Sequence, residues 1–297
     1  MICVKNVTKH FDDFAVLDAF SMHVPKGAIY GLIGPNGAGK TTIINHIVGA
    51  LRPENGEILV GGEAVYENSA VKEKILSIAD DWYFFGTYTI RQMAAFYKDT
   101  YPSFSTERYE KLREVFHLDE KKQIRKLSKG QRRQVAFWLS LSSMPEVLIL
   151  DEPLDGLDPV MRKQILNLVI ADVADRELTV LVSSHNLREL EDICDYVGII
   201  HEGKLLLEKP LDEVRGGVCK FQVSFAEDAR TFLESLPGLL HISKTGSVYT
   251  VIAKGDEAAA ALSERKPLLC ERISLTLEEV FIYELGGLGY DFKNIIF

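Results

Sequence analysis

The sequence predicts an α/β fold: a mainly parallel sheet with helices packed on it, a helical subdomain inserted between strands, and a small α+β appendage. Three observations predict it. The runs PKGAIYGLIG, VLILDE and LTVLVSSH are continuously apolar and read as strands buried on both faces, which lose the alternation of half-exposed strands. Segments of helical period follow them, INHIVGALR, MRKQILNLVIADVAD and NLRELEDIC, and strands alternating with helices give a parallel sheet. Near Arg215-Gly216-Gly217 the pattern breaks and restarts.

Taken in order, MICVKNV and AVLDAFSMHV alternate like strands. PKGAIYGLIG is a strand that runs into a glycine-rich loop, INHIVGALR is a helix, and GEILVGGEAV is a strand and turn. KEKILSIADD closes this block. From residue 82 to about 143 the patterns are helical: RQMAAFYKDTY, TERYEKLREVFHL and QRRQVAFWLSLSSM. VLILDE, MRKQILNLVIADVAD, LTVLVSSH and NLRELEDIC resume the strand–helix alternation, and YVGIIHEGKLLLEK reads as a hairpin. After the break, KFQVSFA and SVYTVIA read as strands, and EDARTFLESL, DEAAAALSERK and LEEVFIYELG as helices. The expected domains are therefore 1–215 and 216–297, the second with no visible chemistry and a docking or dimer-stabilising role.

The totals bound the class. A chain of 297 residues is long enough for a full core and more than one folding unit. A net charge of −9 argues against broad nucleic-acid binding, which wants a basic face. Cys3, Cys194, Cys219 and Cys270 are scattered, with no CxxC pair and no zinc spacing, as expected of reduced thiols. MICVKNVTKHF lacks the apolar core of a signal peptide, and no run reaches the roughly 18 apolar residues that a membrane span needs. Service to a membrane is expected to go through a partner.

The loop GPNGAGKTT, Gly34 to Thr42, carries the strongest chemical signal. It fits G-x-x-x-x-G-K-T, placed after a strand and before a helix. Its glycines let successive backbone N–H groups converge on an anion, and the helix N-terminus adds partial positive charge. Gly34, Asn36, Gly37, Ala38, Gly39, Lys40, Thr41 and Thr42 are the ATP-binding candidates, with Lys40 reaching the β- and γ-phosphates and Thr41 giving its hydroxyl to Mg²⁺. A glycine turn that only joins strand to helix is the plain alternative. VLILDE ends in Asp151 and Glu152, and ligands of open α/β sheets bind beyond the carboxyl ends of the strands. Asp151 is then a metal ligand, and Glu152 a base that polarises water. Alone, the pair would read as acids marking a strand end.

With these motifs, LSKGQ at Leu127–Gln131 and a histidine closing the next strand, residues 1 to about 212 resemble the ATP-binding subunit of an ABC transporter. The appendage resembles the tails of subunits from bacterial export systems whose membrane domain is a separate chain. The resemblance implies the P-loop NTPase fold of ABC ATPases, ATP and Mg²⁺ as ligands, and hydrolysis. It implies two such domains meeting head to tail, so that Ser128, Gly130, Gln131 and Asp158 serve ATP held by the partner. Ser128 with Gln131 is also a capping box, and Asp158 with Pro159 a helix start, so both roles stand. His185 resembles the histidine that contacts the γ-phosphate, Gly156-Leu157-Asp158 the loop that crosses the dimer interface, and Phe11 the ring on adenine. Phe14 competes with Phe11, and core packing would suit either.

Two positions depart from the family pattern. Lys129 replaces the first glycine of LSGGQ and adds charge near phosphate. Asp80 stands where the family places glutamine, and it is carried as a metal contact. The stretch WYFFGTYTIRQMAAFYKDTYPSF is dense in aromatics, which suit an interface and, by resemblance, the grip on an integral membrane subunit. The expected protein is an ATPase subunit exporting drugs, lipids or peptides. It would lie in the cytoplasm on the inner face of the membrane, as a homodimer or heterodimer, without nucleic acid. The alternatives are a soluble ATPase of this type acting on nucleic acid or ribosomes, and a weakly catalytic half of a heterodimer.

Overall fold

The computed structural model describes residues 1–79, 84–154, 156–255 and 257–286. They fall into two compact units. One holds Met1–His185 and Ile193–Glu208, the other Asn186–Asp192 and the chain from Lys209 onward.

The first unit opens with the antiparallel pair β1 (Ile2–Phe11) and β2 (Phe14–Val24). β3 (Ile29–Ile33), buried at every residue, leads into α1 (Lys40–Ile47). β4 (Asn55–Val60) and β5 (Glu63–Ala64) complete an antiparallel sheet in the order β2-β1-β4-β5. α2 (Ser69–Lys72), capped by Asn68, precedes β6 (Ile75–Ile78).

The helical subdomain follows as α3 (Ile90–Thr100), α4 (Thr106–Phe116) and α5 (Lys129–Ser142). Each starts where a Thr or Ser oxygen accepts from a free N–H of the first turn, namely Thr89, Ser105 and Ser128. Trp138 of α5 locks the subdomain, stacking on Tyr109 at 4.7 Å and donating its indole N–H to the Tyr109 carbonyl at 2.9 Å.

β7 (Val147–Asp151), α6 (Pro159–Arg176) and β8 (Thr179–Ser184) return to the sheet; α7 (Leu187–Leu190) departs from it; β9 (Tyr196–His201) and β10 (Lys204–Pro210) finish it. The six-stranded order is β10-β9-β3-β8-β7-β6, and β3, β8, β7 and β6 run parallel. Every residue of β3, β7 and β8 is buried, which accounts for their unbroken apolar runs. Because these three strands are parallel neighbours, their carboxyl ends emerge side by side. Among the described residues no helix is long and apolar enough to cross a membrane.

The second unit contains α7, α8 (Leu211–Gly216), β11 (Val218–Ser224), α9 (Arg230–Glu234), β12 (Leu239–Thr245), β13 (Val248–Lys254), α10 (Glu257–Glu264), β14 (Leu269–Ile273) and α11 (Leu277–Gly286). Its antiparallel sheet runs β12-β13-β11-β14 over a core of Phe221, Val223, Leu233, Val251 and Leu262. The inner strands β11 and β13 are legible in the sequence, and the edge strands β12 and β14 are not. Both edges are largely exposed, so little apolar pattern marks them. The chain division also differs from a single cut near Arg215, because α7 belongs to the second unit.

Candidate functional site

The loop between β3 and α1 curls around its own lysine. Lys40 Nζ donates to the carbonyls of Gly34 at 2.7 Å and Pro35 at 3.2 Å. Gly39 caps α1 at φ 107, a left-handed backbone where a side chain is strained, and a Cβ there would meet the Val16 carbonyl at 2.9 Å. The loop opens on a cavity of about 380 Å³ lined by Val16, Asn36, Gly37, Gly39, Lys40, Thr41, Thr42, Asp151 and Glu152. Gly34 and Ala38 are buried in the loop behind it.

The ends of β7 and β8 supply the opposite wall. Thr41 Oγ1 donates to Asp151 Oδ2 at 2.8 Å, and Ser183 Oγ donates to Asp151 Oδ1. Glu152 Oε1 lies 3.5 Å from Lys40 Nζ, is buried, and makes no hydrogen bond among the described residues. Glu152 Oε2 lies 2.9 Å from His185 Nδ1 at the end of β8. Burial pushes the Lys40 ammonium below its ordinary pKa, and the neighbouring carboxylates of Glu152 and Asp151 offset part of that shift.

Glu152 sits at φ 46, a conformation that costs a non-glycine residue. Hydrogen bonds hold it there. Its N–H is shared between the carbonyl and the hydroxyl of Ser183, each at 3.2 Å, and its carbonyl accepts from Arg133 Nη1 at 2.8 Å. Arg133 is fully buried in α5. Sequence reading missed Arg133, Ser183 and Val16. An arginine inside an apolar helical run was the available signal for the first; the other two have none.

Residues expected to act on a partner's nucleotide do not line this cavity. Ser128 Oγ accepts from the Gln131 N–H at 3.2 Å and Gln131 Oε1 from the Ser128 N–H at 3.2 Å, a complete capping box at the start of α5. Asp158 Oδ1 accepts from the N–H groups of Val160 and Met161 and so caps α6. A Cβ on Gly130 would stand 3.0 Å from the Gly156 carbonyl, so the first turn of α5 lies tightly against the loop that carries Gly156. Phe11 and Phe14 pair across the turn of the β1–β2 hairpin, both exposed, and neither lines the cavity. Asp80 lies outside the described residues.

The donor set suits Mg²⁺ in one respect: Thr41 and Asp151 offer hard oxygens in contact with each other. Among the described residues no group of three His, Cys, Asp or Glu side chains could hold a metal unaided.

Comparison with known proteins shows the family of the chain. A family model described as ABC transporter matches residues 17–155. The ABC transporter ATP-binding protein YtrB of Bacillus subtilis (strain 168) is 33% identical, over 97% of this chain and 99% of its own length. The bacitracin transport ATP-binding protein BcrA of Bacillus licheniformis is 34% identical, over 72% of this chain and 71% of its own. A solved ATP-binding subunit of an ABC transporter, 27% identical, superposes with a TM-score of 0.68 over 72% of this chain and 92% of that one. A dimeric bacterial ABC transporter cassette, at 20% identity and a TM-score of 0.65, shares the fold. A glycine loop, its lysine and two strand-end acids converging on one cavity, in a chain a third identical to YtrB along nearly its whole length, place this protein in the family of ABC transporter ATP-binding proteins.

Proposed function

We propose that this chain hydrolyses ATP to drive an export-type ABC transporter through a separate membrane subunit, working in pairs at the inner face of the membrane. The observation that carries the reading is the linked set Lys40–Glu152–His185 beside Thr41–Asp151. Lys40 and the N–H groups of the loop bind the phosphates. Thr41 and Asp151 would hold Mg²⁺, which supplies charge neutralisation on the phosphate oxygens when bound. Glu152 orients and polarises the attacking water, and His185 fixes the Glu152 carboxylate through its second oxygen. Ser128, Gly130, Gln131 and Asp158 present their capped helix starts to the nucleotide of a second ATP-binding subunit.

Relatives named for bacitracin transport and linearmycin resistance support export of antibiotic-type compounds. Phe85, Tyr88 and Phe96 support the membrane partner. These rings are exposed yet clustered, with centroids 5.1 and 5.4 Å apart, as at interface hot spots. Steady-state ATPase assays test the reading. Glu152→Gln is expected to lower kcat by roughly 10²–10⁴-fold with ATP binding retained. A variant that hydrolyses ATP as fast as the parent would remove Glu152 from the chemistry.

A further inference from the structure

The segment that follows His185 does not belong to the unit that contains His185. β8 ends at Ser184, and His185 is held to Glu152. Asn186–Asp192 then joins the second unit, and the chain returns to the first at Ile193. The return is pinned: Asp195 Oδ2 accepts from the Ile29 N–H at 2.8 Å, and the Asp195 N–H donates to the Ile29 carbonyl at 2.8 Å. A short excursion is thus bounded by two fixed points, one of which is His185, hydrogen-bonded to Glu152.

What shapes the excursion is the second unit. α7 is four residues long, too short to persist as a helix alone. Asn186 Oδ1 caps it from the Arg188 N–H at 3.1 Å. Leu187 and Leu190 are buried, and α7 packs on α11. Arg188 Nη2 reaches Glu278 Oε2 at 3.3 Å. Two further bonds stiffen the start of α11: Glu279 caps the Thr276 N–H at 3.1 Å, and Lys220 of β11 pairs with Glu279 at 2.6 Å. A cavity of about 550 Å³ beside this clasp is walled by Glu191 from the α7 segment and by Cys219, Arg272 and Ser274 from the second unit.

We infer that the C-terminal unit is a regulatory domain that grips the segment after His185, so that occupancy of the nucleotide site and the packing of α7 on α11 are coupled. The inference rests on the proposed nucleotide site and on the γ-phosphate contact that the family resemblance implies for His185. If nucleotide draws His185 to its phosphates, the adjoining residue Asn186 must follow, and the α7–α11 contact must yield or resist. Coupling of this kind is reciprocal: whatever loosens α11 also changes nucleotide affinity.

Hydrogen exchange of the full chain tests it, with and without a nonhydrolysable ATP analogue plus Mg²⁺, followed in peptides from the P-loop and from α11. Arg188→Glu, Glu278→Arg and the double exchange are compared with the parent. In the parent, the analogue is expected to protect the P-loop and to change the α11 exchange rate about fivefold or more. Each single variant should keep the P-loop protection and lose the α11 response, and the double exchange should restore it. P-loop protection with an unmoved α11, or single variants that respond like the parent, would overturn the inference while leaving the nucleotide site intact. No protection at the P-loop would overturn the nucleotide reading and this inference together.

Discussion

At the scale of single residues, the site is built on charges held in a buried place. Lys40 is nearly inaccessible and bends back onto the carbonyls of its own loop, so its ammonium waits in a partly desolvated nest. Burial lowers its pKa from the ordinary value of 10.5. Phosphate beside it restores the charged form. The sign follows: binding takes up a proton in the window just below 10.5, and ATP affinity falls as pH rises through that window. Calorimetric titrations at alkaline pH in two buffers of different ionisation enthalpy check this, and equal uncorrected heats in the two buffers would contradict it. Glu152 shows the same economy. Its backbone strain at φ 46 aims one carboxylate oxygen at Lys40 and the other at His185.

At the scale of elements, α5 does two jobs. Its start carries Ser128, Gly130 and Gln131, and one turn further in, buried Arg133 holds the carbonyl of Glu152. A shift of α5 therefore moves the peptide of Glu152, the proposed base. Arg133→Lys keeps the charge and loses the planar fork. It is expected to cut kcat roughly 10–100-fold while ATP binding stays within about twofold, as a small misplacement of a reacting group does. Rapid-quench single-turnover assays with parallel binding titrations separate the two effects. An equal loss of binding would show that Arg133 shapes the loop rather than the base. An arginine among apolar residues was only a weak signal, because a basic residue in an amphipathic helix ordinarily faces water, and packing shows that this one is buried.

At the scale of the whole molecule, part of the proposed machinery does not line the chain's own cavity. Ser128, Gln131 and Asp158 already satisfy helix ends, and Gly130 lies against Gly156, so their placement is complete without a ligand. A bulky charge at the start of α5 should spare ATP binding to one chain and abolish ATP-dependent pairing. Ser128→Arg in a Glu152→Gln background is expected to bind ATP like its parent, yet to remain at monomer mass in light scattering. A dimer of unchanged stability would take the start of α5 out of the pairing surface.

The sequence by itself determined the parallel sheet, the phosphate loop and the acids at the end of β7. Each is a local pattern: an unbroken apolar run, glycines at fixed spacing, a carboxylate where such a run stops. It also determined the caps of α5 and α6, since S-x-x-Q and Asp-Pro act on the residues beside them. Only the tertiary structure decided that Val16 walls the cavity, that Ser183 and Arg133 fasten Asp151 and Glu152, and that the residues after His185 belong to the C-terminal unit. Those facts depend on which strands become neighbours and which buried face meets which, and contacts between residues far apart in the chain leave no periodicity to read.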